Sequence, residues 1–225
     1  MNYIYDGVSL QNKRQANMDS LLLKYGTIHH KDALLAVVCD GVGSLENGGY
    51  SSGTAVRMLS EWFDKMTDTD RIGLRLRDEI LQINNYIAAQ ARHKKIETAS
   101  TLSALLLVEM NYYAIHIGDS RIYCYENEVL STLTNDDVSQ TGKLSAFIGY
   151  SDDILLQYYE GVISRKVFLI CTDGLYRHIN VNFLTKKVKS WGKHSTKELL
   201  EVLAQCAVDC GEKDNITLAL IKTKS

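Results

Sequence analysis

At 225 residues, 45% hydrophobic and 23% charged, the chain is sized and composed for one globular domain, 1–225, with a substantial core. A formal net charge of -2 gives it no electrostatic attraction to nucleic acid or to an anionic membrane surface. No apolar run nears the length of a membrane span, the start lacks the basic and apolar regions of a secretory signal, and an odd count of 5 cysteines with no Cys-x-x-Cys pair argues against a disulfide framework, so a cytoplasmic setting is expected.

In chain order, residues 1–12 read as a short strand and turn. Leu21 to Tyr25 and Leu34 to Cys39 read as two strands joined by the polar loop from Gly26 to Asp32. The second of these is continuously apolar, as a strand buried on both faces should be, and it ends in Asp40-Gly41-Val42-Gly43. Ser51 or Ser52 can cap a helix through about Met66 with Val56, Leu59, Trp62 and Phe63 as its buried stripe. Asp70 can cap a second, where Leu76, Ile80, Ile83 and Ile87 recur at helical spacing.

From Thr98 the period becomes strand-like. Thr101 to Val108, Tyr112 to Ile117, Arg121 to Tyr125 and Val129 to Leu133 read as an antiparallel meander, and Ile154 to Glu160 with Lys166 to Cys171 as a further hairpin. Helices are expected over 179–191 and, capped by Ser195, over 196–210, before a closing strand from Asn215 to Lys222. This order of strands and helices argues for a layered α+β domain.

The chemistry gathers at acidic residues on strand tips. Asp40 and Asp173 end apolar runs and are each followed by glycine, while Asp19 and Asp214 stand just before apolar runs. One Asp-Gly is better explained as a turn. Four such residues on separate elements meet the needs of a hard divalent cation, which takes oxygen ligands. The glycines after Asp40 do not bind nucleotide by either familiar pattern, because Glu46 stands where a dinucleotide fingerprint needs glycine and Gly49 where a phosphate loop needs lysine. His29-His30 is assigned to a hairpin tip, since adjacent strand residues point to opposite faces. Arg14, five residues before Asp19, has the fork that suits a phosphate, although its spacing alone fits a solvated surface arginine better. Asp119 lies in a turn of the meander.

Asn17-Met18-Asp19-Ser20, Asp40-Gly41-Val42-Gly43, Ser100-Thr101-Leu102, Gly118-Asp119-Ser120-Arg121, Cys171-Thr172-Asp173-Gly174-Leu175 and Asp214-Asn215-Ile216-Thr217 fall in an order and spacing that resembles the PP2C-type metal-dependent protein phosphatases, bacterial members included. The resemblance implies a four-layer α-β-β-α sandwich with two central antiparallel sheets. It also implies hydrolysis of phosphoserine and phosphothreonine by direct attack of a water bridging two Mn2+ or Mg2+ ions. By the same resemblance Asp19, Asp40, Asp173 and Asp214 hold the metals and carry catalysis, the Gly41 carbonyl binds one ion, Arg14 holds the substrate phosphate, and Asp119 is a possible ligand of a third. The implied partner is a phosphorylated protein, a Ser/Thr kinase or one of its targets. Three features depart from the family: Met18 in place of an acid or amide, Arg177 in place of an aspartate that would favour the third ion, and a short link from Leu133 to Gly149 in place of a longer helical flap. These departures motivate an alternative, a catalytically weak module that binds phosphoprotein or regulates a partner.

Overall fold

The computed structural model describes residues 3–45, 47–163, 166–193 and 195–223. Met1 and Asn2 of the expected first strand, and Glu46, lie outside them. The strands are β1 Tyr3–Leu10, β2 Asp19–Ile28, β3 Lys31–Asp40, β4 Leu102–Val108, β5 Asn111–Ile117, β6 Arg121–Glu126, β7 Val129–Thr132, β8 Gln157–Val162, β9 Val167–Cys171 and β10 Ile216–Thr223. The helices are α1 Gly48–Asp64, α2 Ile72–Lys94, α3 Asp173–Tyr176, α4 Val181–Lys189 and α5 Thr196–Asp209. The strands form two antiparallel sheets, ordered β1-β10-β9-β6-β7 and β2-β3-β4-β5-β8.

Three apolar layers explain why the chain stacks this way. In β3 the alternation is complete: Leu34, Ala36 and Val38 face the other sheet, meeting Phe168, Ile170, Ala219 and Ile221, while Leu35, Val37 and Cys39 face the helices. α1 and α2 cover that outer face with Leu59, Phe63, Leu76, Ile80 and Ile83. On the other side α4 and α5 lay Leu184, Leu200 and Leu203 against Leu169, Leu218 and Leu220. This is the expected α-β-β-α sandwich. Among the described residues, no helix is long and apolar enough to cross a membrane.

Several local expectations need correction. The β2–β3 turn is shorter than the loop from Gly26 to Asp32: only His29 and His30 lie between the strands, both at positive φ, which matches the right-handed twist of a two-residue hairpin. α1 begins at Gly48 rather than at a Ser51 or Ser52 cap. Its first turn packs against the Asp40-Gly41 turn, and both hydroxyls are used inside, Ser52 donating to the Met18 carbonyl and Ser51 bonding Thr98. Asp70 does not cap α2, because Arg71 intervenes with φ 49° and the Asp70 N–H turns back to Asp68. Ser195 does cap α5, in a reciprocal box with Glu198. The expected helix over 179–191 is shorter, since Asn180 caps its start and a 3-10 turn, Ser190–Lys193, follows it.

The larger correction concerns sheet membership. The expected meander is divided: β4 and β5 pair in one sheet, and the Gly118-Asp119-Ser120 turn crosses to the other, where β6 pairs with β7. Likewise β8 and β9 are no hairpin, for β8 adds to β5 while β9 lies between β10 and β6. Adjacent strands joined by short turns can pair with each other or pass to the other sheet, so local turn signals could not choose.

Candidate active site

The topology brings the acidic tips to one end of the sandwich. Asp19 opens β2 and Asp40 closes β3, and the register sets them directly opposite each other. Cys171 pairs with Leu218 on one side and Arg121 on the other, so Asp173, Asp214 and Asp119 follow or precede that same row. Asp40, Asp119, Asp173 and Asp214 line a cleft of about 830 Å³ together with Arg14, Arg177 and Lys143. Asp19 is buried behind them. All the acidic candidates from the sequence are thus gathered, and His29-His30 is at a hairpin tip as expected.

Backbone clamps fix these positions. Asp40 N–H donates to the Thr101 hydroxyl at 3.0 Å, while its carbonyl accepts from Ser100 Oγ at 2.9 Å and Thr101 N–H at 2.9 Å. A Cβ on Gly41 would lie 2.6 Å from the Gly48 backbone and 2.7 Å from the Met18 carbonyl oxygen, so no side chain fits there. One on Gly174 would collide with the Asn215 carbonyl, and its absence lets Asp173 pack beside Asp214. The loop carrying Arg14 is stapled to the start of β10: Asn215 Nδ2 donates to the Gln11 and Ala16 carbonyls, and Asn12 Nδ2 to those of Glu212 and Asp214. Met18 serves through its backbone, its N–H donating to Asn215 Oδ1 and its carbonyl accepting from Gly41 N–H.

Charge is balanced unevenly. Burial pushes the Asp19 carboxyl up to about 6, against hydrogen bonds from Thr217 and Thr172. Burial and then the neighbouring Asp19, Asp173, Asp119 and Asp214 hold Asp40 well above its ordinary value. Burial raises Asp173 to about 7, opposed by Arg177, which pairs with its Oδ2. Asp119 is raised by burial and relieved by the same arginine. Asp214 differs: burial works against it, but the Arg14 fork, Nε to Oδ1 at 2.7 Å and Nη2 to Oδ2 at 2.6 Å, outweighs burial and holds it below the usual range.

The residues present fit a divalent cation. The donors are hard oxygens, the carboxylates repel one another, and Asp173 Oδ1 is buried without a hydrogen bond. Among the described residues no three acidic, His or Cys side chains yet form a closed ligand set, Asp214 and Asp173 being turned toward Arg14 and Arg177. Asp19, Asp40, Asp173 and Asp214 with the Gly41 carbonyl would be the metal-holding groups.

Sequence reasoning missed some supporting residues. Tyr176, within α3, donates its hydroxyl to the Asp119 carbonyl at 2.6 Å, with its ring under the Arg121 guanidinium, 3.6 Å from the centroid. Arg121 is in turn forked onto Asp136. No local signal marks Tyr176, whose partner is 57 residues away. Asn215 belongs to the Asp214-Asn215-Ile216-Thr217 motif, but nothing in its neighbours along the chain betrays its role as a clamp. The segment between β7 and β8 carries no helix and contributes Lys143, Leu144, Phe147 and Tyr150 to the cleft wall.

A sandwich of two antiparallel sheets with acidic strand tips converging on an open cleft defines an oxygen-donor centre of the kind metal-dependent hydrolases use. The chain belongs to the protein phosphatase 2C family, whose model matches residues 7–214; it is accordingly an enzyme, a protein phosphatase. It is 29% identical to the serine/threonine phosphatase stp of Listeria welshimeri, with 88% of each chain covered. It is 26% identical to the protein phosphatase PhpP of Streptococcus pneumoniae, over 83% of this chain and 85% of that one. Its fold is similar to that of the serine/threonine phosphatase Stp1 from Staphylococcus aureus, at 19% identity and a TM-score of 0.89, covering 100% of this chain and 96% of that one. The same holds for the Mycobacterium tuberculosis serine/threonine phosphatase PstP/Ppp, at 20% identity and a TM-score of 0.84, with 100% of both chains covered.

Proposed function

We propose that this phosphatase hydrolyses phosphoserine and phosphothreonine in proteins, in the cytoplasm, with two Mn2+ or Mg2+ ions held by Asp19, Asp40, Asp173, Asp214 and the Gly41 carbonyl. When bound, the ions supply an activated water for direct attack on phosphorus. The observation that carries the reading is the convergence of carboxylates from separate elements on one cleft that also holds Arg14. The Listeria welshimeri relative is a serine/threonine phosphatase, which supports the substrate class.

The chain's own groups have separable roles. Asp40 is directly opposite Asp19 in the β2–β3 ladder and feels the charges of Asp173, Asp119 and Asp214, so it would help hold the ions. Arg14 is half exposed, so its fork can exchange Asp214 for a phosphate's paired oxygens. A nucleophilic thiol has no part, because Cys39 and Cys171 are buried and their thiols are pushed far up by burial. All five cysteines are free, in keeping with a reducing compartment. A kinase of the same cell, or its targets, is the proposed source of phosphoprotein.

The test is a phosphothreonine peptide assayed with Mn2+, with chelator, and with Asp40→Ala. Hydrolysis is expected only in the first, with the variant down on the order of 10³-fold, as several kcal/mol of charge stabilisation would dictate. Turnover that survives chelation overturns the metal reading. The pairing of Asp173 and Asp214 with arginines favours a second reading, a catalytically weak phosphoprotein-binding module. In that case calorimetry finds no divalent binding at millimolar metal while phosphopeptide still binds.

A further inference from the structure

Arg177 lines the cleft, and the proposed reaction leaves its chemistry unused. It terminates α3 and is half exposed, and its guanidinium spans carboxylates from separate elements: Nη2 pairs with Asp173 Oδ2, and Nη1 lies 3.6 Å from Asp214 Oδ2. Asp119, in the turn between β5 and β6, faces the same positive charge. We propose that Arg177 is a counter-cation built into the Asp173–Asp214 end of the cleft, holding those carboxylates while metal is absent and competing with divalent cations for them.

Two features of the geometry support competition over a fixed structural bridge. Asp173 is 4% exposed, yet its Oδ1 accepts no hydrogen bond, so the carboxylate keeps one oxygen available to a cation while Arg177 engages the other. Both oxygens of Asp214 already accept from Arg14, so Arg177 adds positive charge there without being needed to satisfy it. A dication entering within a few ångströms of that guanidinium is repelled by it and must share or displace its carboxylates. The arginine stem is long enough to release them while α3 stays in place. Arg177 therefore acts as a positioning residue that sets how much metal the enzyme needs.

This inference rests on the metal-dependent reading, and one calorimetric series separates the two. Mn2+ is titrated into the full-length wild type, Arg177→Ala and Arg177→Gln, and metal-free melting temperatures are recorded with chelator. Removing the guanidinium is expected to tighten Mn2+ binding by about tenfold, the scale of a neighbour of a ligand, while lowering the metal-free melting temperature. A purely structural bridge would lower the melting temperature and leave affinity equal or weaker, which overturns the inference. Should the alanine variant fail to fold, the glutamine variant, which keeps side-chain length and hydrogen-bonding capacity without charge, separates the same two outcomes. Wild type that binds no Mn2+ sinks the underlying metal reading as well, whereas wild type that binds Mn2+ with unchanged affinity in both variants sinks only the role of Arg177.

Discussion

The two ends of the cleft solve the same electrostatic problem differently. At one end Asp19 and Asp40 face each other across the β2–β3 ladder, buried and raised, with Asp19 helped by the Thr172 and Thr217 hydroxyls. Like charges directly opposite in a ladder are destabilising, so this end stores a demand for external positive charge. At the other end Asp173 and Asp214 have their own arginines. One end keeps acid groups whose charge is little compensated, and the other is provisioned with arginines. Distance along the chain is irrelevant to this division, since Arg14 and Asp214 are 200 residues apart.

Removing Arg14 is the strongest way to disturb the provisioned end. Arg14→Ala deprives Asp214 of its fork and the substrate phosphate of its proposed partner. It should lower kcat/KM by about 10- to 100-fold, mostly through KM, as expected for hydrogen bonds to charged groups. Arg14→Lys should recover only part of this, because an ammonium cannot reproduce the fork. Steady-state kinetics on a phosphothreonine peptide checks both, and equal activity of the lysine variant would remove the fork from the explanation.

Both ends together are probed more gently by pH, through one carboxyl of each. The folded-state values of about 6 for Asp19 and about 7 for Asp173 lie above the ordinary 3.8. Between those limits the folded chain holds protons that the unfolded chain has released, so metal-free stability should fall as pH rises from about 4 to 7. Saturating Mn2+ binds the deprotonated carboxylates and should flatten or reverse that trend. Thermal unfolding across the window, with chelator and with Mn2+, reads the effect, and a metal-free protein more stable at pH 7 than at pH 5 would contradict it.

The smallest expected change comes from Tyr176→Phe. It deletes the hydroxyl that bonds the Asp119 carbonyl and leaves the ring under Arg121. About 1 kcal/mol of stability and a few-fold in kcat/KM are expected to go, through looser placement of Asp119. A change in melting temperature with no change in kinetics would confine Tyr176 to stability.

Sequence alone determined what depends on short-range pattern. The unbroken apolar run ending in Asp40 read as a strand covered on both sides, the spacing of Leu76, Ile80, Ile83 and Ile87 read as a helix face, and Asp-Gly at strand ends pointed to oxygen donors with little room around them. Tertiary structure alone decided which strands share a sheet, since short turns between neighbouring strands allow either pairing or crossing, and hence that Asp119, Asp173 and Asp214 reach the same end as Asp19 and Asp40. It alone also decided which carboxylates meet arginines. Both matters turn on contacts between residues far apart in the chain, where burial and charge balance are set by packing and leave no trace in local periodicity.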